Sequence, residues 1–102
     1  MRESDLKAVR RTGHSHRTSK LEISWWPNDH GHPRLGLVVP RHGATAVSRN
    51  KLRRRLRECS RRRILPQLAD VDVVIRARPA AYRARSGDLT KELEQWLASF
   101  SA

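Results

Sequence analysis

Nine Lys or Arg side chains fall within residues 48–63: Arg49, Lys51, Arg53, Arg54, Arg55, Arg57, Arg61, Arg62 and Arg63, against a single carboxylate, Glu58. Guanidinium groups carry forked N–H donors that match phosphate oxygens, so this density is suited to holding an anion. The same stretch keeps a narrow apolar seam. At 100° per residue Leu52, Leu56 and Cys59 lie within about 60° of one another, the pattern of a helix docked on a core. Arg49, Arg53 and Arg57 make one i, i+4 row beside the seam, and Lys51, Arg55 and Arg62 line the other flank. Like charges four apart on a helix repel by about 0.2–0.5 kcal/mol per pair. A polyanion lying along the helix removes that repulsion, whereas a solvated helix ordinarily alternates its charges.

Other residue types capable of chemistry are scattered. His14 and His16, and His30 and His32 with His42 nearby, have i, i+2 spacings that can contribute zinc ligands. A closed site needs four ligands and a supporting shell, and neither a Cys pair nor a His/carboxylate helix motif supplies them. No metal site is assigned, and the imidazoles are read as loop side chains adding to the positive field. Asp70, Asp72 and Asp88 do not group with His into a nuclease-like constellation, so no catalytic residue is assigned. The single Cys59 lies on the helix seam, where a buried, inert thiol in a cytoplasmic protein is expected.

The 102 residues are expected to form one domain, 1–102. The formal net charge is +12 and the pI about 11.6, which favours nucleic acid or an anionic membrane surface as partner. Membrane binding needs a broad apolar face opposite the charges, and a three-residue seam is too thin. No apolar run approaches the ~18 residues of a spanning helix, and the start of the chain has no signal-peptide core. Nucleic acid is the expected partner, with no membrane.

Around the basic helix, residues 4–11 read as a short helix with Ser4 or Asp5 as N-cap and Gly13 just past its end. Residues 14–20 are either loop or an irregular edge strand. Residues 21–26 alternate, with Leu21, Ile23 and Trp25 on one side and Glu22, Ser24 and Trp26 on the other. A turn-rich segment, 27–33, is expected to connect antiparallel strands, the second being 35–39. Thr45 is the expected N-cap of the basic helix, which should run to about Arg63 before Pro66. Residues 71–77 form a nearly continuous apolar strand, suggesting a central position, and 79–87 read as loop. A final amphipathic helix, opened by Ser86 or Asp88, carries Leu89, Leu93, Trp96, Leu97 and Phe100 toward a core. The order describes an α+β domain with helices covering a small sheet. A parallel strand–helix–strand step through 35–77 would be right-handed by default.

The segment Ala46-Val47-Ser48-Arg49-Asn50-Lys51-Leu52-Arg53-Arg54-Arg55-Leu56-Arg57-Glu58 resembles the signature helix of the bacterial ribonuclease P protein subunit. The flanks match in order, with Leu35–Arg41 before it and Val73–Pro79 after it, and a closing amphipathic helix follows at 89–97. The resemblance implies an αβββαβα domain with a four-stranded sheet packed by helices and a left-handed crossover. It implies a subunit that binds a catalytic RNA and the 5′ leader of precursor tRNA, assisting endonucleolytic removal of the leader. The RNA performs the hydrolysis with Mg²⁺ held by the RNA subunit and substrate, not by protein ligands. No obligate protein partner is implied.

Carried over by position, Arg49 and Asn50 match the start of the signature, and Lys51 stands where the family usually has Arg, replacing a planar fork by a point charge. Arg53, Arg54 and Arg57 match later basic positions, and Arg41 and Arg61 complete the expected RNA-binding set. For the leader, Leu6 and Arg10 stand where the family's first helix usually presents aromatics. Ser24 replaces a cleft aromatic, and Trp26, on the same strand face, is the candidate to take over stacking. The alternative is a structural RNA-binding protein such as a small ribosomal protein, and the ordered match over 35–79 favours the first reading. A metal-dependent nuclease acting alone would have to cut precursor tRNA without an RNA subunit.

Overall fold

Strand β4 (Val71–Ala77) is buried along its whole length except at Arg76, as expected of a strand with neighbours on both edges and cover on both faces. It is approached by α1 (Glu3–Thr12), β1 (His14–Arg17), β2 (Leu21–Pro27), β3 (Arg34–Val38) and α2 (Ala46–Cys59), and is followed by α3 (Ser86–Ser101). The computed structural model describes residues 3–101, and of these the side chains of 86, 100 and 101 are left aside. The expected core role of Phe100 therefore lies outside the described residues.

The sheet order is β1-β2-β4-β3. β1 pairs with β2 and β2 with β4 in antiparallel fashion, while β3 and β4 are parallel, with Leu35 and Trp25 both opposite Val73. Residues 14–17 are thus an edge strand, with all four side chains exposed. β2 and β3 run in opposite directions but do not pair, because β4 lies between them. The connection 28–33 crosses two interstrand spacings, about 10 Å, leaving the most apolar strand the central place. The parallel β3–β4 pair requires a crossover, and that crossover is α2.

One sheet face buries Leu21, Ile23, Val73, Ile75 and Ala77 in a single cluster with Leu52, Leu56 and Cys59 of α2 and Leu89, Leu93, Trp96 and Leu97 of α3. Trp25 joins at its margin, its ring 5.5 Å from that of Trp96. On the opposite face Val9, Ser24 and Val74 are buried apart from that cluster, beneath α1. Gly13 is essential to that seating for a reason other than the helix-ending role. A Cβ at Gly13 would run into the carbonyl oxygens of Val9 and Trp25, so only glycine lets α1 close on β2.

Thr45 caps α2, its Oγ1 accepting from the Ser48 N–H at 3.1 Å. The regular helix stops at Cys59, four residues short of expectation, and continues as a π turn (Ser60–Ile64) and a 3₁₀ turn (Leu65–Gln67). In α geometry Ile64 would sit about 140° around the cylinder from Cys59. The wider turn rotates it back toward the seam, and Ile64 is fully buried. The segment 79–87 contains a 3₁₀ turn, Pro79–Arg83. At α3, Asp88 sits within the first turn and reaches back to accept from the Arg85 N–H at 3.1 Å.

Two carboxylates tie the elements together. Asp72 accepts a forked pair of bonds from Arg34 (Nε–Oδ1 2.8 Å, Nη2–Oδ2 2.6 Å) and a third from Asn28 Nδ2 at 2.8 Å. Arg34 also lies 3.9 Å from Asp5 of α1. Hydrogen bonding from Arg34 holds the Asp72 carboxyl below the usual carboxylate range, against its burial. Glu92 of α3 accepts from the Lys20 N–H (3.2 Å) and from Ser19 Oγ (3.3 Å), and pairs with Lys20 Nζ at 3.1 Å. Burial pushes its carboxyl up, but hydrogen bonds from Thr18 and Lys20 outweigh that and hold it low.

A depressed folded pKa contributes stability above the unfolded carboxylate pKa of about 4, and loses it as pH falls through the folded value. Acidification below about pH 4 should therefore erode stability. Asp72→Ala should cost about 1–3 kcal/mol in urea unfolding, since it removes the acceptor of three hydrogen bonds from Arg34 and Asn28, and should flatten the acid limb of the stability–pH curve.

Candidate nucleic-acid interface

Because Leu52, Leu56 and Cys59 face the core, the rotation of α2 is set and its charges divide among three surfaces. Asn50, Arg54, Arg57 and Arg61 are exposed on the outward side, where Arg54, Arg57, Glu58, Arg61 and Arg62 surround a shallow basin. Lys51, Arg55 and Arg62 are exposed toward α3, and Arg55 Nη1 reaches the Ala84 carbonyl at 3.5 Å. Arg49 and Arg53 are half-buried on the remaining side. Among the described residues, Arg63 with Glu94 (3.8 Å) is the one carboxylate pair made by 46–64. The outward Arg54, Arg57 and Arg61 thus make no ion pair among the described residues, and Glu58 is the one carboxylate lining their basin.

Arg41, another expected RNA-binding residue, is exposed in the loop before α2. His42 and Gly43 follow with φ of 48° and 84°, so the loop turns through the left-handed region. It is tied down at both sides of Arg41: Tyr82 Oη donates to the Pro40 carbonyl at 2.5 Å, and His42 Nε2 lies 3.2 Å from the Ala77 carbonyl.

Arg49 and Arg53 belong instead to a groove along the free edge of β3, between α1 and α2. Leu6, Lys7 and Arg10 of α1 face them across it, with Leu37, Val38, Val39 and Pro40 as floor, and its volume is about 410 Å³. Arg49 Nε donates to the Val39 carbonyl at 2.6 Å, which fixes its fork. The Nε of Arg53 is buried with no hydrogen-bond partner. The expected i, i+4 row is therefore split: Arg49 and Arg53 turn into the groove and Arg57 faces outward.

Of the four residues expected at a leader cleft, Leu6 and Arg10 line this groove. Ser24 and Trp26 do not. Ser24 is 3% exposed, sealed on the sheet face that α1 covers, and offers nothing to a ligand. Trp26 is 45% exposed but lies outside the groove lining, at the other end of its strand opposite Asp72, its ring 6.1 Å from that of His14. Sharing a strand face did not bring it to the cleft, because α1 crosses between. Lys7 was missed, although it shares a helical face with Leu6 and Arg10 at spacings legible in the sequence.

Among the described residues no three His, Cys, Asp or Glu side chains gather to hold a metal ion, and the His30 and His32 rings stand 6.2 Å apart in an exposed loop. Cys59 is buried, its Sγ accepting from Thr90 Oγ1 at 3.0 Å. No helix among the described residues is long and apolar enough to cross a membrane.

The family model described as Ribonuclease P matches residues 1–101. A ribonuclease P protein component of Syntrophobacter fumaroxidans is 41% identical over 92 residues, covering 87% of this chain and 76% of that protein. Its counterpart in Acidothermus cellulolyticus is 38% identical over 98 residues, covering 94% and 82%. Among solved structures, the RNase P protein from Thermotoga maritima superposes with a TM-score of 0.83 at 26% identity, covering 95% of this chain and 93% of that one.

Replacing Arg49 by Ala should remove a charge-assisted bond to the Val39 carbonyl and cost about 1.5–2 kcal/mol in urea unfolding. Arg54→Ala, on the outward face, should stay within about 0.5 kcal/mol of the parent.

Proposed function

Since the chain belongs to the ribonuclease P protein family, as a protein component of the tRNA 5′-processing enzyme and partner of its RNA subunit, we propose a division of labour between its two basic surfaces. The outward face of α2, with Asn50, Arg54, Arg57 and Arg61 and with Arg41 ahead of it, docks on the catalytic RNA. The groove between α1 and α2 receives the 5′ leader of precursor tRNA. The observation that carries this reading is the exposed guanidinium row of Arg54, Arg57 and Arg61, which makes no ion pair with a carboxylate among the described residues.

The chain's own contribution is binding and orientation. Guanidinium forks on a rigid helix donate paired N–H bonds to phosphate oxygens and follow a backbone at i, i+3 and i+4 spacing. A protein carrying +12 also lowers the repulsion between two polyanions, catalytic RNA and substrate, that must lie side by side. Mg²⁺ held by RNA and substrate supplies the hydrolytic chemistry. No side chain of the protein acts on the scissile phosphate, and the protein works in the cytoplasm, away from membranes.

Reconstitution tests this. Added to a bacterial ribonuclease P RNA at low Mg²⁺, the protein should restore removal of the 5′ leader, and protein alone should leave precursor tRNA intact. Changing Arg54, Arg57 and Arg61 together to Ala should weaken binding to the RNA subunit. Each lost phosphate contact should reduce the log–log salt slope by about 0.7–0.9. A slope unchanged in the triple variant would remove α2 from the RNA face.

A further inference from the structure

The groove is lined without a single aromatic ring. Trp25 packs against Trp96 in the core margin, Tyr82 is bound to the Pro40 carbonyl, and Trp26 stands at the far end of its strand. What the groove does offer is four cations, Lys7, Arg10, Arg49 and Arg53, against one carboxylate, Glu3 at its margin, around an aliphatic floor. Their chemistry is directional. The Arg49 fork is held by the Val39 carbonyl, and the Arg53 Nε–H is buried with no acceptor among the described residues. A buried donor left unpaired costs free energy until an acceptor arrives. Lys7 has one carboxylate within reach, Glu3 at 3.8 Å, on an exposed surface where such a pair is weak. The floor begins on the last residues of β3, an edge strand that pairs within the sheet with β4 alone, and continues through Val39 and Pro40.

We propose that this groove grips single-stranded RNA by its phosphates, with no base stacking, so that the leader is held regardless of its sequence. Arg53 and Arg49 take phosphate oxygens from the α2 side, Arg10 and Lys7 close on the next phosphates from the α1 side, and the bases project toward solvent. The aliphatic floor of Leu37 and Val39 supplies contact to sugars. This rests on the groove's being the leader site, and it specifies which part of the leader is read.

The test uses the reconstituted holoenzyme and precursor tRNAs with four leaders: natural, base-free (abasic) with intact phosphates, methylphosphonate with intact bases, and none. The abasic leader should bind within about twofold of the natural one, since no stacking energy is lost. The methylphosphonate leader should bind about tenfold or more weakly, and its salt slope should fall by about 0.7 per neutralised phosphate. Arg10→Gln, an exposed change that spares the core, should shrink the gap between phosphate and methylphosphonate leaders, and Arg53→Lys should restore less affinity than the parent fork. Trp26→Ala should leave all four affinities unchanged. A loss of about fivefold or more on base removal, with little loss on neutralising the backbone, would overturn the proposal while leaving the groove as leader site. Equal affinity for substrates with and without a leader would overturn both.

Discussion

The stripe Leu52–Leu56–Cys59 sets the rotation of α2, and every charged group on that helix takes its position from it. The stripe spans only about 60° of the cylinder, so most of the remaining surface is free to carry charge. Burying each leucine contributes roughly 2 kcal/mol. That suffices to hold a helix whose other residues repel one another, provided the sheet beneath it is well formed. The π turn at 60–64 extends the same constraint, bringing Ile64 into the core where regular geometry would turn it away.

With the rotation set, the basic residues cease to be one feature. Two of them, Arg49 and Arg53, fall where the edge of β3 and the side of α1 enclose them, and the outward set meets solvent. The enclosed pair is pre-oriented, one by a backbone carbonyl and the other by packing. The outward set is exposed and makes no ion pair among the described residues. An enclosed, oriented fork suits a flexible strand that must be held in place, while an open row suits a large folded RNA that brings its own shape. In the proposed division of labour, one helix can serve two kinds of RNA because its two flanks have different neighbours.

The groove exists only because α1 is held at a particular height and angle. Gly13 permits the close approach to β2 at one end, and the Asp5–Arg34–Asp72 chain of charges anchors the other. Neither device touches RNA, yet both set the distance between α1 and α2. The Glu92 clamp does comparable work on the far side of the sheet, fastening the β1–β2 turn to α3. Three of the chain's ten acidic residues, Asp5, Asp72 and Glu92, are thus engaged in holding elements together, which helps explain why so few are left to offset the arginines.

Periodicity located the three α-helices and the strands β2, β3 and β4 to within a few residues, including the central place of 71–77, because burial on one or both sides leaves a local imprint on residue type. The fully exposed β1 carries no such imprint, and its residues fit loop and edge strand alike. The basic helix, its Thr45 cap and its likeness to the ribonuclease P protein signature were legible for the same reason. Pairing was not: the separation of β2 from β3 by β4 depends on which long-range contacts form. Nor was the fate of individual side chains. Ser24 and Trp26 share a strand face, yet one is sealed under α1 and the other lies beyond it, and the row Arg49, Arg53, Arg57 is divided by a groove wall that comes from residues 3–12. Local sequence determines which face of an element is apolar and which is charged. What stands opposite the charged face is decided when distant segments close on one another, and here that decides which arginines line the groove and which face outward.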